Sequence, residues 1–119
     1  MTEIDKSIVD CFLCISDENY QARSWFGVGE ELSSSDEILL HLDSLDFYGS
    51  WWPSRQKALS DSLNRAIRLF VTGVERFPGH GDDFEEFSSL EWIQLRLRAK
   101  LVYVLLCDHF QITPKRRYQ

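Results

Sequence analysis

Apolar residues recur at steps of three and four along most of this chain, with polar residues between them. The N-terminal segment shows the pattern first, at Ile4, Ile8, Cys11, Phe12 and Ile15. This spacing places the five side chains on one face of a helix. Thr2 and Asp5 stand where a capping box would begin that helix, with Asp in place of the usual Glu. A first helix is therefore predicted directly after Thr2.

Two further helices follow in the acidic half of the chain. Residues 16–19 are predicted to open a short second helix, which the glycines of 27–29 end. Residues 34–37 form a capping box before a third helix that Gly49 closes. The apolar positions of that helix are Ile38, Leu39, Leu42 and Leu45.

A fourth helix is predicted over residues 53–77. Pro53 suits a first turn, because the N–H that proline lacks would be unpaired there. Its apolar stripe consists of Leu59, Leu63, Ala66, Ile67, Phe70, Val74 and Phe77. Residues 78–81 then break the helix.

The segment 82–110 is ambiguous, because residues 93–101 alternate as a half-buried strand would. Wound as a helix, it has two apolar stripes, one of Ile93, Leu97, Leu101 and Val104 and one of Leu95, Ala99, Val102 and Leu106. No second strand candidate exists to pair with a lone strand. We therefore predict a long central helix between two layers, capped by Asp82 or Asp83, with a frayed tail at 113–119.

These elements predict an all-α fold. Residues 1–119 form a single domain, an antiparallel bundle of four to five helices with a long central C-terminal helix. The composition agrees, since 119 residues with 44% hydrophobic and 13% aromatic side chains suffice for a core. The acidic N-terminus lacks a cationic leader, and the longest apolar run is too short to span a bilayer. We expect a cytoplasmic protein that does not bind membranes.

The net charge of −6 is unevenly distributed. Residues 1–50 hold 11 acids and 2 bases, which gives −9, whereas residues 51–119 hold 8 acids and 11 bases, which gives +3. Such an acidic protein repels phosphate backbones, so direct nucleic-acid binding is not expected. The acidic half would attract a basic partner, although plain solubility explains the charge equally simply.

Cys11 and Cys14 have C-x-x-C spacing, and with Cys107 and His109 they would supply four metal ligands. Both cysteines of the pair fall inside a predicted helix, away from the strand-to-helix context of a redox site. Burial as small apolar side chains is the simpler interpretation. Phosphate-loop, dinucleotide-binding and hydrolase motifs are absent from the sequence. We therefore expect neither catalysis nor a cofactor.

Two groups of residues are candidates for binding a partner. The first combines adjacent tryptophans with nearby rings and acids, and consists of Asp43, Asp46, Tyr48, Trp51 and Trp52. Tryptophan is enriched at binding hot spots, although the same residues would also serve as a cover over the end of the bundle. The second is an acidic run of Asp82, Asp83, Glu85 and Glu86, for which helix capping is the alternative.

An acidic, aromatic-rich helical bundle with these features resembles the helical immunity proteins of contact-dependent growth inhibition and colicin systems. The resemblance lies in the profile of the whole chain, namely the acidic half, the run at 82–86 and the aromatic loop at 48–52. It implies a monomer or weak dimer that covers the active site of a cognate cationic toxin nuclease. The alternatives are a small regulator or adaptor that binds a host protein or DNA, and a Cys/His metal or redox protein.

Overall fold

Five α-helices and one π-helical turn form the regular structure of the residues that the computed structural model describes, which are 1–18, 21, 35–77 and 89–114. In chain order they are α1 (Glu3–Ser16), α2 (Ser35–Ser44), a π-helix (Phe47–Trp51), α3 (Trp52–Arg55), α4 (Asp61–Arg76) and α5 (Leu90–Phe110). The predicted all-α single domain is confirmed. The predicted short helix after residue 16 falls largely outside the described residues.

Helix α1 begins with the predicted capping box. The Asp5 backbone N–H donates to Oγ1 of Thr2 (3.1 Å), and the Thr2 N–H donates to Oδ2 of Asp5 (2.9 Å). The apolar face that follows is buried from Ile8 to Ile15. Ile4 is the exception, because it lies in the first turn and is 51% exposed.

Helix α5 is the central helix, since it packs against both α1 and α4. Residues 93–101, for which the sequence left helix and strand open, are helical. Ser89 caps this helix, because its Oγ accepts from the Trp92 N–H (3.1 Å). The two apolar stripes fare differently. The stripe of Leu95, Ala99, Val102 and Leu106 is completely buried, whereas Leu97, Leu101 and Val104 are 60%, 48% and 42% exposed. Helix α5 lies between α1 and α4, but the expectation that both of its stripes face a layer was wrong for the one that contains Leu97, Leu101 and Val104.

The predicted helix over 53–77 is interrupted at residues 56–60, where the chain turns. Ser60 begins α4 by accepting from the Leu63 N–H (3.1 Å), and the Asn64 side-chain amide donates to the Gln56 carbonyl (2.9 Å). The apolar stripe is continuous across this break, because Leu59 and Leu63 are both buried. Periodicity alone therefore did not reveal the turn.

The chain leaves α2 through a left-handed residue, Asp46, with φ of 55°. The next five residues form the π-helix, whose Trp51 N–H donates to the Asp46 carbonyl (2.9 Å). Gly49, expected to close α2, lies inside this π-helix instead, while α2 ends at Ser44. A Cβ atom at position 49 would stand 2.6 Å from Oδ1 of Asp46, so a larger residue here would require the exposed Asp46 side chain to move.

Phe12 lies at the centre of the core. Its ring meets Phe47 of the π-helix edge-on at 5.3 Å and Phe70 of α4 at 4.9 Å. Edge-to-face pairs at this separation stabilise a core beyond simple burial. These contacts connect α1, α4 and the segment that carries the predicted aromatic site.

Candidate partner-binding surface

Trp51 is part of the core, with 4% of its surface exposed. Its indole N–H donates to Oδ1 of Asp5 (2.8 Å), and Nη2 of Arg55 lies 2.8 Å from the same oxygen. The Arg55 guanidinium also stands over the indole ring, 5.1 Å from its centroid. Trp51 thus contacts an ion pair between buried Asp5 and partly exposed Arg55 instead of presenting its ring to solvent.

The Asp5 carboxylate is charged in spite of its burial. Burial raises its pKa, but the Thr2 backbone N–H, the Trp51 indole and the Arg55 charge together hold the pKa below its usual range. This balance is typical of a buried acid that accepts several hydrogen bonds. Asp5 was predicted only as part of the capping box, and neither Asp5 nor Arg55 was among the candidate partner-binding residues.

Trp52 is half-buried and packs on the outside of the same cluster. Its indole N–H donates to Oδ1 of Asn64 (3.0 Å), across the turn between α3 and α4. The rings of Trp51 and Trp52 both lie nearly parallel to Phe47. Their assignment to a partner surface stays a prediction, and the contacts seen here give both residues a role within the fold.

Tyr48 is also half-buried, and its ring meets Phe47 edge-on at 5.2 Å. Its hydroxyl is buried and has no hydrogen-bond partner within the described part of the chain. Burial, followed by the charge of Asp43, raises the pKa of this hydroxyl, so Tyr48 is neutral at physiological pH. Its edge lies next to the acidic surface of α2.

The exposed face of α2 places an apolar side chain between acids. Leu40 is 64% exposed, and Glu37 and Asp43 lie three residues before and after it. Residues at this spacing are neighbours on a helix surface. Asp46 is exposed just beyond the helix, and residues 35–54 contain neither Lys nor Arg. We call Glu37, Leu40, Asp43 and Asp46 the α2 acidic face.

The second predicted group, Asp82, Asp83, Glu85 and Glu86, lies outside the described residues. The prediction that Asp82 or Asp83 caps the C-terminal helix was wrong, because α5 begins at Leu90 with Ser89 as its N-cap. The α2 acidic face includes two of the predicted residues, Asp43 and Asp46. Leu40 was missed as a candidate, although it was not part of the apolar pattern predicted for α2. Its position was informative, since it is 180° away from the centre of the stripe formed by Ile38 and Leu42.

The thiol candidates lie inside the protein. Cys11, Cys14 and Cys107 are all free and buried. Burial raises the pKa of both the Cys11 and Cys107 thiols, which keeps them protonated. Among the residues described, no group of three or more His, Cys, Asp or Glu side chains is placed to hold a metal ion. The geometry fits the interpretation of these cysteines as small apolar side chains.

A buried polar cluster that sequence reasoning missed connects α1 to α5. Gln21 is fully buried, and its amide donates to the carbonyls of Cys14 (2.9 Å) and Ile15 (2.7 Å). Its oxygen accepts from the Trp92 indole (2.9 Å) and from Nη1 of Arg96 (3.3 Å). A lone glutamine in a polar stretch gives no sequence signal for such a role.

The fold and surface together define a helical domain with an acidic, apolar-centred face. Comparison of the chain with protein-family models, curated proteins and solved structures finds no match. In the parts of the chain described, no helix combines the length and apolar character needed to cross a membrane. The resemblance to immunity proteins therefore rests on the sequence profile alone.

Proposed function

We propose that this protein is an immunity protein that binds a cationic toxin nuclease domain and covers its active site. The observation that supports the proposal is the α2 acidic face, where Leu40 is 64% exposed between the exposed acids Glu37 and Asp43. An apolar anchor with a charged rim is the usual anatomy of a protein interface. In this proposal the protein acts in the cytoplasm and is not an enzyme.

Charge would govern the encounter between the two proteins. The α2 acidic face lies in a stretch of 20 residues, 35–54, that contains neither Lys nor Arg. Carboxylates on such a surface attract a groove built to bind RNA or DNA phosphates, and they accelerate association. Tyr48 and Trp52 follow this face in the chain and are half-buried, so their rings would be available to a partner that reaches beyond it.

The π-helix and α3, which follow the α2 acidic face in the chain, are held in place by contacts with α1. The Trp51 indole and Arg55 both bind Asp5 of α1, and Phe47 packs against Phe12. A surface held by buried contacts loses little conformational entropy on binding, which favours affinity.

Neutralisation is the decisive test. The nuclease domain of the toxin encoded next to this gene is titrated with the protein while nucleic-acid cleavage is followed. We expect complete inhibition near one equivalent. Full cleavage at a tenfold excess of protein, or the absence of any toxin gene beside this one, would contradict the proposal.

The α2 acidic face is tested by charge reversal with a matched control. The double variant Glu37→Lys/Asp43→Lys should slow association with the toxin domain by about tenfold or more at low salt. Asp61→Lys/Glu75→Lys on α4 is the control, because both side chains are exposed and this double variant changes the net charge by the same amount. Equal effects of the two changes would mean that net charge, not this face, governs binding.

A further inference from the structure

The outer face of α5 carries an apolar stripe that no described part of the chain covers. Leu90 is 65% exposed, Leu97 60%, Leu101 48% and Val104 42%, and Ile93 between them is partly exposed. The five residues follow steps of three, four, four and three, so they form one line along the helix. We call Leu90, Ile93, Leu97, Leu101 and Val104 the α5 stripe.

From this stripe we infer that the protein self-associates through α5, which packs against α5 of a second copy in antiparallel orientation. The step pattern of three, four, four, three reads the same in both directions. A two-fold axis through Leu97 therefore matches every residue of one stripe with an apolar residue of the other. Leu97 meets its own copy, Ile93 meets Leu101, and Leu90 meets Val104. A two-fold interface requires this self-complementarity.

Asp108 selects the antiparallel over the parallel arrangement. It is exposed, and it lies one helical turn beyond Val104, on the same line as the stripe. Two parallel helices would bring Asp108 against Asp108 of the second copy, and like charges in direct opposition repel. In the antiparallel pair, the two Asp108 side chains lie at opposite ends of the interface and do not face each other. Opposed helix dipoles add to this preference.

The extent of the stripe sets the strength of the association. From Leu90 to Val104 it extends about 21 Å along a helix about 10 Å wide. A stable complex buries roughly 800 Å² per partner. One helix pair covers less than this, so we expect a weak dimer that dissociates on dilution and leaves the monomer free for other partners.

Binding at the α5 stripe and binding at the α2 acidic face should respond to salt in opposite directions. Lys100 flanks the stripe and is exposed, and in the antiparallel pair it lies on the same side as Lys100 of the second copy. Each copy also carries a net charge of −6. Salt screens both repulsions. Self-association should therefore strengthen with salt, whereas binding of a cationic partner to the α2 acidic face should weaken.

Single cysteines test the register. Leu97→Cys should form a disulfide-linked dimer under mild oxidation, because facing positions of packed helices approach within disulfide range. Leu90→Cys alone should not, but a mixture of Leu90→Cys and Val104→Cys should cross-link. Leu40→Cys is the matched control, with 64% exposure on a different helix. The native cysteines are buried and do not compete.

Sedimentation equilibrium completes the test. We expect the wild-type protein to show a monomer–dimer equilibrium. Its association constant should rise by about threefold or more between 0.05 M and 0.5 M NaCl, because salt screens the repulsion between the copies. The Leu97→Asp variant should be monomeric. A wild-type protein that is monomeric at millimolar concentration would overturn the inference. So would cross-linking of Leu97→Cys no faster than of Leu40→Cys, or efficient self-cross-linking of Leu90→Cys, which indicates a parallel pair.

Self-association through the α5 stripe and neutralisation of a toxin are separate properties, and each can fail without the other. If Leu97→Asp abolishes toxin neutralisation while the wild-type protein is monomeric, the stripe binds the toxin and self-association is refuted. If neutralisation fails altogether but the cross-links form, the proposed function alone is refuted.

Discussion

The indole nitrogen of Trp51 lies 2.8 Å from Oδ1 of Asp5, although the two residues are 46 positions apart in the chain. This bond joins the π-helix to the first turn of α1. Asp5 therefore accepts hydrogen bonds from two elements, because its Oδ2 also accepts from the Thr2 N–H in the capping box of α1. Loss of either partner should therefore affect the stability of both elements.

We expect Trp51→Phe to lower the free energy of unfolding by about 2 kcal/mol, because it leaves a buried carboxylate without one donor and creates a small void. Trp52→Phe is the matched change, and it should lower the free energy of unfolding by less, because Trp52 is half-buried. Urea unfolding followed by circular dichroism measures both. A larger loss for Trp52→Phe would contradict the assignment of Trp51 to the core.

Asp5 should make stability dependent on pH. Its pKa is lowered in the folded state, so its contribution is complete above the ordinary pKa of a carboxyl group and is lost as pH falls through the folded value. Asp5→Asn should therefore destabilise the protein at pH 7, and the difference from wild type should shrink towards pH 2. A difference that stays constant over this range would mean that the charge of Asp5 is not involved.

Gln21→Leu should lower the free energy of unfolding by about 2 kcal/mol, because two carbonyls of α1 and the Trp92 indole each lose one hydrogen bond in the interior. Gln56→Leu is the control, since the Gln56 side chain is exposed. Chemical denaturation of both variants is the measurement. Equal stabilities would show that Gln21 contributes nothing beyond packing.

Asp46 combines a predicted binding role with a left-handed backbone, at φ of 55°. Alanine in this conformation is strained by about 1 kcal/mol, whereas glycine is not. We expect Asp46→Ala to be less stable than Asp46→Gly when thermal unfolding is compared. Asp46→Gly is therefore the variant that removes the charge for binding experiments, and a higher stability of Asp46→Ala would refute this choice.

The raised pKa values of the Cys11 and Cys107 thiols predict that both thiols react slowly with alkylating reagents. Because the thiolate is the reactive form, both should resist alkylation in the native protein and react fully in denaturant. Mass spectrometry after a timed iodoacetamide pulse distinguishes the two states. Rapid modification of Cys11 in the native protein would revive the redox alternative.

Periodicity was sufficient to predict that α1, α2, α4 and α5 are helical and to predict most of their buried faces. It failed at residues 56–60, where Leu59 and Leu63 continue the apolar stripe through a turn. Local hydrogen bonds from Ser60 and Asn64 determine that break. It also failed on α5, where two apolar stripes look alike in sequence but only one has neighbours in the described chain.

The polar partners of the tryptophans were beyond prediction from the sequence. Trp92 and Gln21 are 71 positions apart, and nothing in either local stretch indicates the other. The adjacent Trp51 and Trp52 suggested an interface because two neighbouring rings rarely enter one core together. The π-helix resolves this conflict by turning Trp51 inward to Asp5 while Trp52 reaches across to Asn64.

The Gln21 amide fixes the alignment of α1 and α5 along their axes. If one helix slid past the other by a turn, about 5.4 Å, the carbonyls of Cys14 and Ile15 and the Trp92 indole would lose their shared partner in the interior. Such a shift is therefore strongly disfavoured. Any adjustment to a partner must then come from surface side chains and not from sliding of these two helices.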